Sequence, residues 1–388
     1  MRVLHIIDSL DQGGAEALVK DTVPRMRARR VDGCVAVLKE LDAPFERELR
    51  EEGIPFLPTA VGGVYSPAHV LSLMRHIREF DLVQVHLFPA QHFTPLAAML
   101  VGSRVPLVLT EHSTHHGRKK KWLYPLETWV YSCYTAIACA SEAIGDSLRA
   151  WVPGLAQKIT VIPNGIDLQK FQQATPVSRA SIRINDGNHV LLYVASFQPR
   201  KDHGTLLRAI ARIPNVDLVL AGDGDLRTQF EHEAKCLDIA HRVHFLGRRS
   251  DVAELLKMAD IYVHAPAFEG FGIAAAEALA AGKPIIASKV PGLAEVVGEA
   301  GLLIPPRDSS ALATSIRSLI ESPERRSELA RAAMQRSGQF SIEKTVDAYI
   351  DLYSSVLSTN NSIDDRALSQ NETRTRLHRG NLTYMLRA

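Results

Sequence analysis

The apolar and polar positions switch between two periods along most of the chain. Val3–Ile7 is a short, largely β-branched apolar run of the kind a strand buried on both faces requires. A Gly13-Gly14 pair follows, then a helical pattern from Ala15 to Arg29. The same reading predicts strands at Cys34–Leu38, Ile54–Leu57, Leu82–His86, Leu107–Thr110, Ala136–Cys139 and Ile159–Ile162, with helices at Pro67–Phe80 and Glu142–Trp151. The alternation then restarts. Val190–Ala195, Asp217–Ala221, Val243–Leu246, Ile261–His264, Pro284–Ala287 and Leu302–Ile304 read as six further strands. Helices fit at His203–Ala211, Leu226–Leu237, Ser250–Met258, Gly272–Ala281 and Ser309–Ser318.

A βαβα order of this kind calls for parallel sheets with helices on both faces. The polar, aperiodic stretch Phe171–Asn188 is the natural linker. The expected fold class is therefore α/β, two tandem Rossmann-like, doubly wound domains facing across a cleft. The expected boundaries are 1–175 and 176–341, followed by a closing helix over 342–357 and a poorly ordered polar tail over 358–388. Ligands in such sheets bind beyond the carboxyl ends of the strands.

Bulk composition narrows the function. A length of 388 residues suits two domains, and 45 basic against 43 acidic residues give a formal charge of only +2. That balance carries no electrostatic footprint for nucleic acid. Cys34, Cys133, Cys139 and Cys236 form no CxxC pair, which argues against a zinc or thioredoxin-like motif. Cys34, Cys139 and Cys133 read as buried thiols suited to a reducing cytoplasm. The first apolar run stops at Asp8, too short for a signal core, and no stretch reaches the roughly 18 apolar residues of a membrane span. The expected location is cytoplasmic, or peripheral at the inner face of a membrane.

The segment with most chemistry is Ala267-Phe268-Glu269-Gly270-Phe271-Gly272-Ile273-Ala274-Ala275-Ala276-Glu277-Ala278, which follows a strand and opens a helix. Gly270 and Gly272 let the backbone pass close to a ligand. The N–H groups around Phe271, Gly272 and Ile273, with the positive helix end, make an anion site fit for a pyrophosphate. Glu269 and Glu277 have two readings: acids that favour a helix start and a surface, or acceptors for sugar and ribose hydroxyls.

The segment resembles the E-x7-E element of the family-four glycosyltransferases, and other stretches follow in that family's order. Gly13-Gly14-Ala15-Glu16 resembles its first glycine loop, and Thr110-Glu111-His112 its first-domain histidine strand end. Ala140-Ser141-Glu142 and Val161–Asp167 match its entry to the linker. Arg200-Lys201-Asp202-His203 resembles its basic element, and Ala221–Gly224, Phe245–Gly247 and Pro291-Gly292-Leu293-Ala294-Glu295 complete the set. The resemblance implies the GT-B fold and a nucleotide-sugar donor, which is a substrate, so that no cofactor is called for. It implies that Lys201, with Arg200, holds the donor diphosphate, that Glu269 meets the donor sugar and that Glu277 holds the ribose. It also implies that His112 lies beside the transferred sugar and that Gly13 and Gly14 approach the phosphates. Relatives commonly carry Gly-Arg after the first strand of the second domain, where this chain has Ala195-Ser196. Whether Arg200 takes over that role stays open, and Glu295 receives no role.

The implied activity is transfer of a sugar to a saccharide or lipid-linked saccharide, with retention, in surface polysaccharide or glycoconjugate assembly. No DxD-like motif stands where a metal would be held, so metal-independent transfer is expected, with Lys201 and the helix end meeting the charge on the leaving group. His115 and His116 lack acidic partners at ligand spacing, so no metal site is expected there. The run His115–Tyr124 mixes basic and aromatic residues, a pattern shared by membrane-contacting segments and by solvated helix faces. Alternative functions are a nucleotide-sugar epimerase of the same fold and a catalytically silent nucleotide-sugar-binding module.

Overall fold

A computed structural model describes residues 1–11, 13–59, 61–114, 119–184 and 187–360. The histidine pair His115-His116, the basic Arg118 and the tail from 361 onward lie outside the described residues. The first series of strands is β1 Arg2–Ile7, β2 Asp32–Val37, β3 Phe56–Leu57, β4 Leu82–His86, β5 Leu107–Glu111, β6 Ala136–Cys139 and β7 Ile159–Val161. The second is β8 His189–Val194, β9 Val216–Ala221, β10 Val243–Gly247, β11 Ile261–His264, β12 Ile285–Ser288 and β13 Gly301–Ile304. They build two sheets, ordered β3-β2-β1-β4-β5-β6-β7 and β10-β9-β8-β11-β12-β13, with every pairing parallel.

Local chemistry explains where the sequence pattern and the elements differ. The run from Ile54 shortens to the two residues of β3, because Pro55 has no N–H to give a ladder. Helices Pro44–Glu51, Pro291–Val297 and Pro323–Ser337 each begin with the proline that reads as a breaker in sequence. At the first helical position its missing N–H costs nothing and its fixed φ is already helical. Part of the stretch expected as linker is helix Leu168–Gln173, anchored by buried Phe171 and packed on helices Val252–Met258 and Ile273–Ala280.

The chain crosses between the sheets twice, side by side. Ile166 bridges to Ser341 in parallel, with Ile166 N–H donating to the Phe340 carbonyl and Ile342 N–H to that of Ile166. Helix 342–360 then returns to the first sheet. Its Val346, Tyr349 and Tyr353 are buried against Val3, Leu82, Val108 and Ala136. Burying each such side chain contributes about 1.5–3 kcal/mol. Tyr353 donates to Gln84 Oε1, Gln84 Nε2 donates to Thr110 Oγ1 at 2.7 Å, and the Tyr349 hydroxyl lies 3.3 Å from the same Thr110 oxygen. The returning helix is thereby tied to β4 and β5 by a buried polar chain. Among the described residues no helix is long and apolar enough to cross a membrane.

In each sheet the strand order reverses once, between β1 and β4 and between β8 and β11. Loops leave in opposite directions at such points and open a crevice at the carboxyl ends. The two crevices face each other.

Candidate functional site

The reversal in the second sheet brings the loops after β8 and β11 together. The first carries Arg200 and Lys201, the second Glu269–Gly272. Lys201 Nζ lies 2.5 Å from Glu269 Oε2, although the residues are 68 positions apart in sequence. Both side chains are about nine-tenths shielded from water, each 12% exposed. His264, the last residue of β11, places Nε2 3.2 Å from the same Glu269 oxygen. Its Nδ1 meets the hydroxyl of Tyr262 at 3.0 Å. Burial acts to raise the Glu269 carboxyl, but Lys201 and His264 outweigh it and hold the group well below the usual carboxylate range. Burial lowers the Lys201 ammonium, with Glu269 opposing. Glu269 is therefore ionised at neutral pH and fixed in a hydrogen-bond-accepting state.

Gly272 caps helix Ile273–Ala280 with φ 97°, a left-handed value that favours glycine. A Cβ there would also lie 2.9 Å from Leu293 Cδ1. Phe271 turns its ring into the core, edge-on to Phe340. Only its backbone is placed to serve a ligand. Ile273 faces the other domain, where a Cβ on Gly14 would come within 3.1 Å of its Cδ1. Gly13 is the N-cap of helix Gly14–Arg27, and the Glu16 carboxylate curls back so that a Cβ on Gly13 would stand 2.2 Å from Glu16 Oε2. Burial raises the Glu16 carboxyl, against the helix N–H groups that bond it.

Arg200 is exposed, and its Nε donates to Gln198 Oε1 at 3.0 Å rather than to Glu269. Glu277 is half-buried one helical turn beyond the loop. Loss of hydration pushes its carboxyl up to about 7, with Lys170 and Lys20 pulling it down and Asp21 pushing it up.

His112 lies at the end of β5, where Gly270 reaches it from the other domain. A Cβ on Gly270 would stand 2.5 Å from the His112 carbonyl oxygen. His112 Nε2 is 3.3 Å from Nδ1 of His86, the last residue of β4, and His5 stacks on His86 in turn. Burial drives all three imidazoles neutral, His112 down to about 4 and His5 to about 3. Glu111, next to His112, turns into the core and accepts from the Tyr131 hydroxyl at 2.9 Å.

The geometry thus unites Lys201, Glu269 and Gly272, and sets His112, Gly13 and Gly14 opposite them. Sequence reasoning missed His264 and His86. Both are strand-end histidines opening onto a crevice, which is the one signal that marked them. In the first domain, Trp122 is 74% exposed, and Tyr124, Leu126 and Trp129 are exposed with it. Lys120 and Lys121 are exposed too, whereas Lys119 Nζ turns back to Ser147 Oγ at 2.6 Å.

Comparison with known proteins gives the arrangement a context. The family model for "Glycosyltransferase Family 4" matches residues 12–170, and that for "Glycosyl transferases group 1" matches residues 175–336. The chain is 32% identical to a glycogen synthase of Mycobacterium tuberculosis over 273 residues, covering 66% of this chain and 64% of that protein. It therefore spans just under two thirds of that relative's length. It is 30% identical to the putative glycosyltransferase EpsD of Bacillus subtilis over 299 residues, covering 72% of this chain and 77% of EpsD. Among solved structures, Anabaena HepE in complex with UDP-glucose superimposes with a TM-score of 0.80 at 24% identity, over 92% of this chain and 100% of that one. That likeness is one of fold.

Proposed function

The chain belongs to the group 1 glycosyltransferases of family four and has their two-domain GT-B fold, and from this premise we propose that it moves a sugar from a nucleotide donor to a saccharide acceptor. The observation that carries the reading is the Lys201–Glu269 pair beside the start of helix Ile273–Ala280, with His112 facing it. Departure of a nucleoside diphosphate gathers negative charge on a phosphate. An ammonium held in a water-poor site and a helix N-terminus both stabilise such charge without reorganising. Glu269, kept ionised, accepts hydrogen bonds from sugar hydroxyls, and Glu277 accepts them from the ribose. A neutral His112 offers a hydrogen bond to the sugar rather than a competing positive charge. Arg200, free of Glu269, is available to swing onto the diphosphate.

The finer reading is a retaining, metal-independent transfer. The cationic groups named above support it, because they do the work a divalent ion would otherwise do. The exposed Trp122, Tyr124, Leu126 and Trp129 beside Lys120 and Lys121 support a lipid-linked acceptor, met at a membrane surface. The place in biology is then assembly of surface polysaccharide or glycoconjugate.

The test is a donor screen on the purified protein with UDP-, GDP-, ADP- and dTDP-sugars, read by nucleotide release and thermal shift. UDP-glucose leads the set because the HepE structure contains it. One donor that stabilises the protein and turns over, with turnover lost in Glu269→Ala, is the expected result. Binding with no turnover toward any acceptor overturns the transferase reading in favour of a silent binding module. Consumption of donor without any acceptor, yielding an epimer, favours the epimerase. Abolition of activity by EDTA and its return with Mg²⁺ refutes metal independence. Inversion at the anomeric carbon, followed by NMR, refutes retention.

A further inference from the structure

Glu295 lies outside the group of residues just described and touches none of them directly. It sits on helix Pro291–Val297 of the second domain, three positions after Gly292, so the two share a face. That face meets the first domain and the Glu269–Gly272 loop together. A Cβ on Gly292 would stand 2.0 Å from the Gly270 carbonyl oxygen, so the helix backbone lies directly against the loop. The Glu295 carboxylate reaches across the domain junction. Its Oε2 accepts from the N–H of Glu142 at 2.9 Å and its Oε1 from the N–H of Ala143 at 2.7 Å.

Those N–H groups are the first two of helix Glu142–Trp151, which have no partner within their own helix. The third, of Ile144, is taken by the N-cap Ser141 at 3.2 Å. The same Ser141 hydroxyl donates to the Gly270 carbonyl at 2.7 Å. One helix start in the first domain is therefore capped by a carboxylate from the second. The cap residue beside it grips the loop that carries Glu269. A carboxylate at a positive helix end makes charge-assisted hydrogen bonds, stronger than neutral ones. Glu142 and Asp146 lie close enough to oppose it, so the contact is held by the two N–H groups rather than by net charge.

We infer that Glu295 is a positioning residue, a latch across the domain junction that sets how closely the Glu269–Gly272 loop stands to His112. The inference rests on the transferase reading for its effect on rate, though the latch itself does not. Contacts from three elements converge on Gly270: Gly292 and Ser141 both at its carbonyl, and the His112 carbonyl beside its Cα. Glu295 fixes the helix that supplies the first of these relative to the helix start that supplies the second.

The experiment compares wild type with Glu295→Gln, Glu295→Ala and Ser141→Ala. Gln keeps the volume but presents an NH2 to one of two N–H donors, so it loses the cap without leaving a hole. The expected result is a fall in kcat of about 10- to 100-fold, the scale on which sub-ångström to 1 Å misplacement acts. The Kd for UDP-glucose, or for GDP-mannose or ADP-glucose if the wild type turns those over, stays within about threefold. A merely structural role would instead lower the melting temperature and the active fraction, leaving kcat per folded molecule unchanged. The Glu295→Gln and Ser141→Ala losses combine less than multiplicatively, because both act on one loop. Unchanged kcat in folded Glu295→Gln overturns the proposal. Small-angle scattering without nucleotide separates the two readings. If the wild type turns over no donor, the transferase reading fails, and the latch stands or falls on whether Glu295→Ala broadens the scattering envelope.

Discussion

The substitution Gly270→Ala tests the proposed reacting geometry most directly. The glycine is needed for space alone, since its φ lies outside the left-handed region and alanine adopts its backbone freely. The added Cβ would stand 2.5 Å from the His112 oxygen, 3.4 Å from the His112 carbonyl carbon and 3.3 Å from Ile144 Cδ1. Real Cβ contacts hardly ever fall below 3.0 Å, so the loop and His112 must part by at least 0.5 Å, the difference from 2.5 Å. Movement of the loop is restricted, because Gly292 already packs on the Gly270 carbonyl. The domains must then separate slightly at this point. Overpacking of this kind costs about 1–3 kcal/mol, partly offset by about 0.4–1 kcal/mol from the stiffer unfolded chain. The rate suffers more, because Glu269 and the Gly272 helix start move away from His112 together. We expect kcat to fall about 10- to 100-fold. Nucleotide affinity should hold within a few-fold, since Lys201, Glu277 and the helix start belong to one domain. Steady-state kinetics with calorimetric Kd and thermal unfolding reads all three quantities. Turnover within about twofold of wild type, in a variant of near wild-type stability, would refute the claim that this contact belongs to the reacting geometry.

Three other outcomes follow from the same geometry. Lys201→Met should lower turnover about 10²–10³-fold by removing one preorganised charge. It should also raise the His264 imidazole, left as the main partner of Glu269, which NMR titration would detect. Burial pushes the Glu277 carboxyl up to about 7, and the ribose hydroxyls of the proposed donor would bond its ionised form better. Binding of a nucleotide sugar should therefore lower that pKa and release a proton. Affinity should strengthen as pH rises through about 6 to 7 and level off above, and Glu277→Gln should flatten the profile. A nucleotide sugar rather than a free diphosphate is the right ligand, because its phosphates do not titrate in this window. Tyr353→Phe leaves the buried Gln84 Oε1 without its donor. It should cost about 1–3 kcal/mol of stability, read as a lower denaturant midpoint, with kcat little changed.

The sequence by itself determined the two series of alternating elements, because strands buried on both faces must be apolar throughout and their covering helices amphipathic. It also marked the loops proposed to carry chemistry, since glycine pairs, a basic pair and acids at E-x7-E spacing stand at the ends of strand-like runs. Prolines hid some helices, as at Pro291 and Pro323, because a first-turn proline and a helix breaker look alike in one dimension. Tertiary structure alone decided the partners. Lys201 meets Glu269 only because β8 and β11, distant in the chain, are neighbours where the strand order reverses. His264 joins them because β11 ends at the same crevice. Ser141 read as one residue of a motif, and its grip on Gly270 depends on the docking of one domain on the other. Glu295 carried no legible role, for a carboxylate's side-chain chemistry is the same whether it faces water or caps a helix. Periodicity records which face of an element is buried. It holds no record of which distant backbone N–H will arrive beside that face, and strand order and domain docking supply that.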